Sequence, residues 1–296
     1  MADKSTIISS HLMPGEIEDF EQILINLEKS SQYISDSSNI TLQATLNLSN
    51  KLINWDNSKL NPQYFKDKLE ELKKYTTWCP NIWFEWIDND DILGSAAQKR
   101  NLVTTTNFDQ YIFLDCDIIF SPILLSTILQ AGEIVEGDYI IVPQTVKLWD
   151  STWDVICHKD FLDKEYGYEK THYPQITLDQ TIDEVNLVPS SKFKLATGWF
   201  TLFSKGVMDK IGIASFVKHY GPEDTFIMFA ADSLNRYKGT NFIQYNLEGI
   251  YISENYISRS QKYKDQLSLI NLKDTFRNEA ELVFQDELIK FIQNYK

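Results

Sequence analysis

The sequence predicts an α/β protein: a mostly parallel central sheet with helices on both faces and a helix at its C-terminal end. Three observations predict it. Short apolar runs alternate with stretches of helical period through the first half, reading βαβαβαβαβ, and such alternation favours parallel strands joined by helical crossovers. The composition, 43% apolar with 7 Trp, 15 Tyr and 17 Phe in 296 residues, supplies a large core and excludes disorder, collagen and coiled coil. No repeat and no linker rich in Pro, Gly or Ser divides the chain. Residues 1–260 therefore read as one domain, with halves meeting near 145/146, and 261–296 as a helical extension.

The elements follow in order. Ser5 to Ser10 (STIISS) is a β-prone run, and Met13-Pro14-Gly15 turns the chain into a helix with Ile17, Phe20, Leu24 and Leu27 on one stripe. Ile40 to Leu48 alternates like a strand. Asn61-Pro62 opens a charged helix whose buried stripe is Phe65, Leu69 and Leu72. Asn81 to Ile87 (NIWFEWI) is an aromatic strand, and Ser95 with Gln98 forms a capping-box start for a helix to about Thr105. Tyr111 to Leu114 is the next strand. Ser121-Pro122 opens an apolar helix stopped by Gly132, and Tyr139 to Val142 is a buried strand. From Lys147 to Lys192 the periodicity disappears and Trp149, Trp153, Tyr166, Tyr168 and Tyr173 mix with acids, the texture of a long loop or lid. Ordered patterns return at Phe193 and end in an amphipathic helix near Lys273 to Tyr295.

Charge and cysteine usage narrow the partners. A net charge of −14 opposes nucleic acid and anionic lipid. Cys79, Cys116 and Cys157 are too few and too far apart for a disulfide framework, which fits a cytoplasmic protein. No apolar run reaches the ~18 residues of a membrane span and the start lacks a signal-peptide pattern, so any membrane contact is expected to be peripheral.

Two Asp-x-Asp pairs occur. Asp88 to Asp90 sits in a turn-like IDNDD, whereas Asp115 and Asp117 interrupt the apolar run YIFLDCDIIF, where unpartnered charge is costly. Period-two geometry points both carboxylates one way at the carboxyl end of a strand, where open α/β sheets bind ligands. Two hard oxygen ligands there suit Mg²⁺ or Mn²⁺ held against a diphosphate.

The text GSAAQKRNLVTTTNFDQYIFLDCD, with ATGWFTLFSKGVMDKIG and YGPEDTFIMFAA further on, resembles the nucleotide-sugar-dependent glycosyltransferases of GT-A fold, especially family 2. The likeness covers roughly residues 94 to 230. It implies a Rossmann-like fold with a donor half to about 145 and an acceptor half from 146 to 260. It also implies transfer of a sugar, with inversion, from a UDP- or GDP-sugar to a hydroxyl of a glycan or glycoconjugate. Lys99, Arg100 and Asn101 take the places of the basic and amide groups that face the donor, with Arg100 the candidate for its diphosphate or sugar. Asp115 and Asp117 hold Mn²⁺ or Mg²⁺. Asp224 is the candidate base and Glu223 the group that orients the acceptor, with the exchange of these two roles equally open, although acids in a helix's first turn are also favoured by the macrodipole alone. Gly198, Trp199 and Trp153 are placed on the acceptor side.

Two departures from the family stand out. In place of an Asp-rich turn after the second strand the chain reads LNLSNKLINWDNS, which leaves base recognition open among Asn47, Ser49 and Asp56. No histidine follows Asp224, so a third metal ligand falls to Glu254 or Asn255. His219 reads as a helix-end or core residue, and His158 and His172 as acceptor-binding or surface residues. Two other readings keep the fold: a sugar-phosphate nucleotidylyltransferase, disfavoured by SSHLMPGEIED where a Gly-rich phosphate loop is needed, and a carbohydrate-binding protein without catalysis.

Overall fold

The computed structural model describes residues 4–88, 94–146, 185–190, 199–254, 263, 265–269 and 272–296. Its strands are β1 (Thr6–Leu12), β2 (Ile40–Asn47), β3 (Ile53–Asn54), β4 (Asn81–Ile87), β5 (Gln110–Leu114), β6 (Ile118–Phe120), β7 (Asp138–Val146), β8 (Asn186–Pro189), β9 (Phe200–Ser204), β10 (Phe242–Glu254) and β11 (Ser268–Leu269). Its helices are α1 (Ile17–Ser30), α2 (Pro62–Leu72), α3 (Ser95–Thr105), α4 (Leu124–Ile134), α5 (Lys205–Lys210), α6 (Glu223–Lys238) and α7 (Leu272–Asn294).

Nine strands form one sheet in the order β4-β2-β1-β5-β9-β7-β10-β6, with β8 on β10, while β3 and β11 make a separate ribbon. The pairs β4–β2, β2–β1, β1–β5 and β7–β10 are parallel. β9 runs antiparallel between β5 and β7, and β6 and β8 run against β10. The sheet is thus mostly parallel, as the alternation predicts, with antiparallel strands confined to its second half. Strand β8 falls in the stretch read as loop, because NLVP is too short and ends in a residue that cannot donate to a ladder.

The two faces of the sheet carry separate cores. On one, α1, α2 and α4 bury Phe20, Leu24, Phe65 and Leu125 against Ile8, Leu42 and Phe120. On the other, α3, α5, α6 and α7 bury Val207, Phe226, Leu234 and Phe284 against Ile7, Tyr111 and Phe203. Each such side chain contributes about 1.5–3 kcal/mol. The C-terminal helix is therefore joined to the sheet domain through α6.

Helix starts depart from the sequence reading in detail. Asn61 caps α2 as expected, its Oδ1 accepting the Tyr64 N–H at 3.0 Å. Helix α3 instead takes Gly94 as its N-cap, with no side-chain cap bond. A Cβ at Gly94 would stand 2.1 Å from the His219 carbonyl oxygen, which accepts the Ala96 N–H at 3.0 Å. Close backbone approach replaces the capping box there. Gly132 does not stop α4, which continues to Ile134. Its missing Cβ makes room for the Gln110 amide, 2.6 Å from where that carbon would lie. Pro222 is the N-cap of α6, which puts Glu223 and Asp224 at its first two positions.

Candidate active site

Strand β5 ends at Leu114, and the chain bends through Asp115, Cys116 and Asp117 into β6. The acid pair lies in this bend, one step beyond the strand end the sequence suggested, and lines an open cleft of about 400 Å³. The Asp115 N–H donates to the Trp199 carbonyl at 3.0 Å, fixing the bend to the start of β9. The end of β1, the first two turns of α3, the first turn of α6 and the start of α7 close the cleft. They bring in His11, Lys99, Glu223, Asp224, Lys273 and Arg277.

Lys99 is the hinge of the electrostatics. Its Nζ donates to Glu223 Oε1 at 2.7 Å, with the two side chains 6% and 9% exposed, and lies 5.3 Å over the Phe113 ring. Burial works against its charge, yet Glu223, Asp115 and Asp224 hold its pKa above the ordinary lysine value. Burial also pushes Asp115 up to about 7. Lys99 opposes that shift, while Asp117, Glu223 and Glu16 add to it. Asp117 is raised too, chiefly by burial. Glu16, which accepts the Met13 N–H at 2.7 Å, reaches about 7 by burial, offset by Lys273. His11 is pushed down to about 3 by burial and then by Lys99, so its ring is neutral, with Nδ1 2.9 Å from Gln98 Oε1.

The structure brings Lys99, Asp115, Asp117, Trp199, Glu223 and Asp224 to one cleft and separates two others. Arg100 Nε donates to the Ile213 carbonyl at 3.1 Å and Nη2 to that of Ala214 at 2.7 Å, with Val217 as a further acceptor. Its guanidinium fastens the loop before α6 and does not line the cleft. Asn101 lies on the exposed side of α3 beside a second, smaller cleft. Gly198, Trp149, Trp153, His158, His172 and Asn255 fall outside the described residues, as does most of the 147–192 stretch. His219 packs its ring 4.4 Å from Phe276, as a core histidine would. Asn47 Oδ1 accepts the Ser49 N–H at 3.0 Å and Ser49 Oγ the Lys51 N–H at 3.1 Å, so both shape the loop after β2.

Sequence reasoning missed Lys273, Arg277, His11 and Glu16. Glu16 and His11 flank the first strand–helix turn, where strand ends collect ligands, and that position was a usable signal. The two cations on α7 had none, because only the packing of α7 on α6 carries them to the cleft.

Among the described residues no three His, Cys, Asp or Glu side chains are grouped to hold a metal ion by themselves. Two carboxylates in an open polar cleft still fit Mg²⁺ or Mn²⁺, ions that keep waters and complete their shell with substrate phosphate oxygens.

No family model matches the chain, and no curated protein matches it in sequence. Solved structures do match it in three dimensions. Glucosyl-3-phosphoglycerate synthase from Mycobacterium tuberculosis, in complex with Mn²⁺, UDP-glucose and phosphoglyceric acid, superposes at a TM-score of 0.51 and 10% identity over 99% of this chain and 81% of that one. The mannosyltransferase PcManGT from Pyrobaculum calidifontis, in complex with GDP-mannose and Mn²⁺, gives 0.50 and 7% over 86% of this chain. The fold is GT-A. The chain spans 58% of the length of that mannosyltransferase. At these identities the likeness is one of fold. No described helix of this GT-A chain is long and apolar enough to cross a membrane.

Proposed function

We propose that the chain is a metal-dependent glycosyltransferase that moves a sugar from a nucleoside-diphosphate sugar to a hydroxyl acceptor with inversion. The observation that carries this reading is the joint lining of one cleft by the acid pair Asp115–Asp117 and by Asp224. The fold likeness supports it, since the two superposed proteins are described with nucleotide sugars and Mn²⁺.

Asp115 and Asp117 would hold the divalent ion, which supplies Lewis-acid neutralisation of the leaving diphosphate. Lys273 and Arg277 add positive charge at the same mouth. Lys99 holds Glu223 in an ion pair, and Asp224, which lines the same cleft, would be the carboxylate that accepts the acceptor hydroxyl's proton. Glu223 then acts through Lys99, as a positioning group. Trp199, buried at the cleft wall, gives the sugar an apolar surface to lie against. A nucleotidylyltransferase is disfavoured, because the turn after β1 is closed by the Glu16 carboxylate on the Met13 N–H where a phosphate loop would present free N–H groups.

Incubation of the full chain with UDP-, GDP- and CMP-sugars and Mn²⁺ tests the reading through donor hydrolysis or transfer. Metal-dependent release of a nucleoside diphosphate is expected. Binding of neutral glycans without any turnover of these donors would favour the non-catalytic alternative.

A further inference from the structure

The cleft at Asp115 and a second cleft, of about 240 Å³, lie on either side of Gln98, which lines both. Strand register sets their spacing. His11 pairs with Thr45 and Thr45 with Glu85, while Ser9 pairs with Phe113, two residues before Asp115 in the bend after β5. The row from Asp115 past His11 and Thr45 to Glu85 crosses three strand spacings, about 14 Å, the reach of a nucleoside diphosphate with its phosphates at Asp115.

The far end of the row has the chemistry of a base pocket. Trp83, 44% exposed, presents an indole braced by Phe108 at 5.6 Å, a flat face on which a base can stack. Thr45 Oγ1 donates to Glu85 Oε1 at 3.1 Å, which holds the carboxylate at the pocket wall, and Gln43 in turn donates to Thr45. Asn101 adds an amide, and no Lys, Arg or His lines the pocket among the described residues.

Resting on the nucleotide-sugar reading above, we propose that this second cleft seats the donor's base and that Glu85 selects guanine. A carboxylate only accepts. Guanine offers it two adjacent donors, N1–H and N2–H, with O6 left for the Asn101 amide. Uracil offers one N–H between two carbonyl oxygens, and adenine and cytosine each set an acceptor beside their amine, so each turns an oxygen or a bare nitrogen towards Glu85.

Binding of GDP, UDP, ADP and CDP to the full chain in Mn²⁺, followed by calorimetry, tests this. GDP is expected to bind about 10–100-fold tighter than UDP, the discrimination of one good bidentate pair. Glu85→Gln is expected to erase that preference by weakening GDP alone, and Trp83→Ala to weaken all four. Glu85 lies on the exposed edge strand, so the variant is expected to fold, and an unchanged melting temperature verifies it. UDP binding as tightly as GDP, or a GDP preference that survives Glu85→Gln, overturns the base assignment and leaves the transferase reading standing. Failure of all four diphosphates to bind with Mn²⁺ or Mg²⁺ overturns both.

Discussion

Lys99 and Glu223 meet at 2.7 Å with both side chains almost fully buried, and this ion pair ties α3, which precedes the acid-bearing strand, to α6, which carries Asp224. Removing one partner leaves an uncompensated buried charge, which costs about 3–5 kcal/mol. Lys99→Met and Glu223→Gln are therefore each expected to lower the denaturation midpoint by that equivalent. The double variant Lys99→Met/Glu223→Leu should recover most of it. A double variant as unstable as the sum of the two would show that the residues act separately.

Asp115 carries a cost that a metal ion would relieve. Its folded-state pKa of about 7 against an ordinary 3.8 means that the folded chain retains a proton the unfolded chain has released. Stability without metal therefore falls as pH rises through that window, and Glu16, moved from 4.5 to about 7, adds to the fall. Asp115→Asn is expected to raise the metal-free melting temperature above pH 7, to leave it unchanged near pH 4, and to abolish stabilisation by Mn²⁺ with nucleoside diphosphate. Melting curves at pH 4 and pH 8 check all three; a metal response that persists in the variant removes Asp115 from the site.

Arg100 separates binding from architecture. Its guanidinium is engaged by main-chain carbonyls of residues 213, 214 and 217. Arg100→Ala is expected to destabilise the chain by about 1.5–3 kcal/mol, the loss of charged hydrogen bonds, with diphosphate affinity unchanged once folded. Weaker diphosphate binding without loss of stability would return Arg100 to the donor.

Much of this architecture is legible in the sequence because local and tertiary signals agree there. NIWFEWI forms the strand Asn81–Ile87 and Asn61-Pro62 starts α2, each needing only its own residues. Where a distant group decides, the reading slips. The His219 carbonyl sets the start of α3, and Gln110 explains Gly132. The antiparallel β9 depends on pairing with strands from both halves. The site divides the same way. Asp115 and Asp117 announce themselves as charges in an apolar run, while Lys99 and Arg100, neighbours on one helix, point to opposite tasks that spacing alone does not distinguish.

Lys273 and Arg277 give α7 a role in the cleft. Lys273 lies 5.3 Å over the Tyr220 ring and opposes the upward shift of both Glu16 and Asp117. Both side chains are exposed, so their effect on an anionic ligand is screened by salt. The double variant Lys273→Ala/Arg277→Ala is expected to weaken diphosphate binding several-fold at low ionic strength and to flatten its salt dependence. Equal salt dependence in wild type and variant would place the phosphates elsewhere.

Asp224 decides the chemistry. Glu223 is engaged by Lys99, whereas Asp224 lines the cleft with its Oδ1 accepting the Thr225 N–H at 2.7 Å and the Thr225 hydroxyl at 3.4 Å. A base acts on the acceptor and the acid pair on the donor, so Asp224→Asn is expected to lower kcat by about 10²–10⁴ with donor affinity near wild type. Loss of the charge–dipole interaction at the start of α6 is the competing effect, and at about 1 kcal/mol or less it cannot unfold a domain of this size. Glu223→Gln tests the division of labour from the other side. It should lower stability first, and its residual activity should keep the wild-type pH profile, because the titrating base is still present. If Asp224→Asn transfers sugar normally while Glu223→Gln is folded and dead, the base is Glu223 and the ion pair with Lys99 must open during turnover.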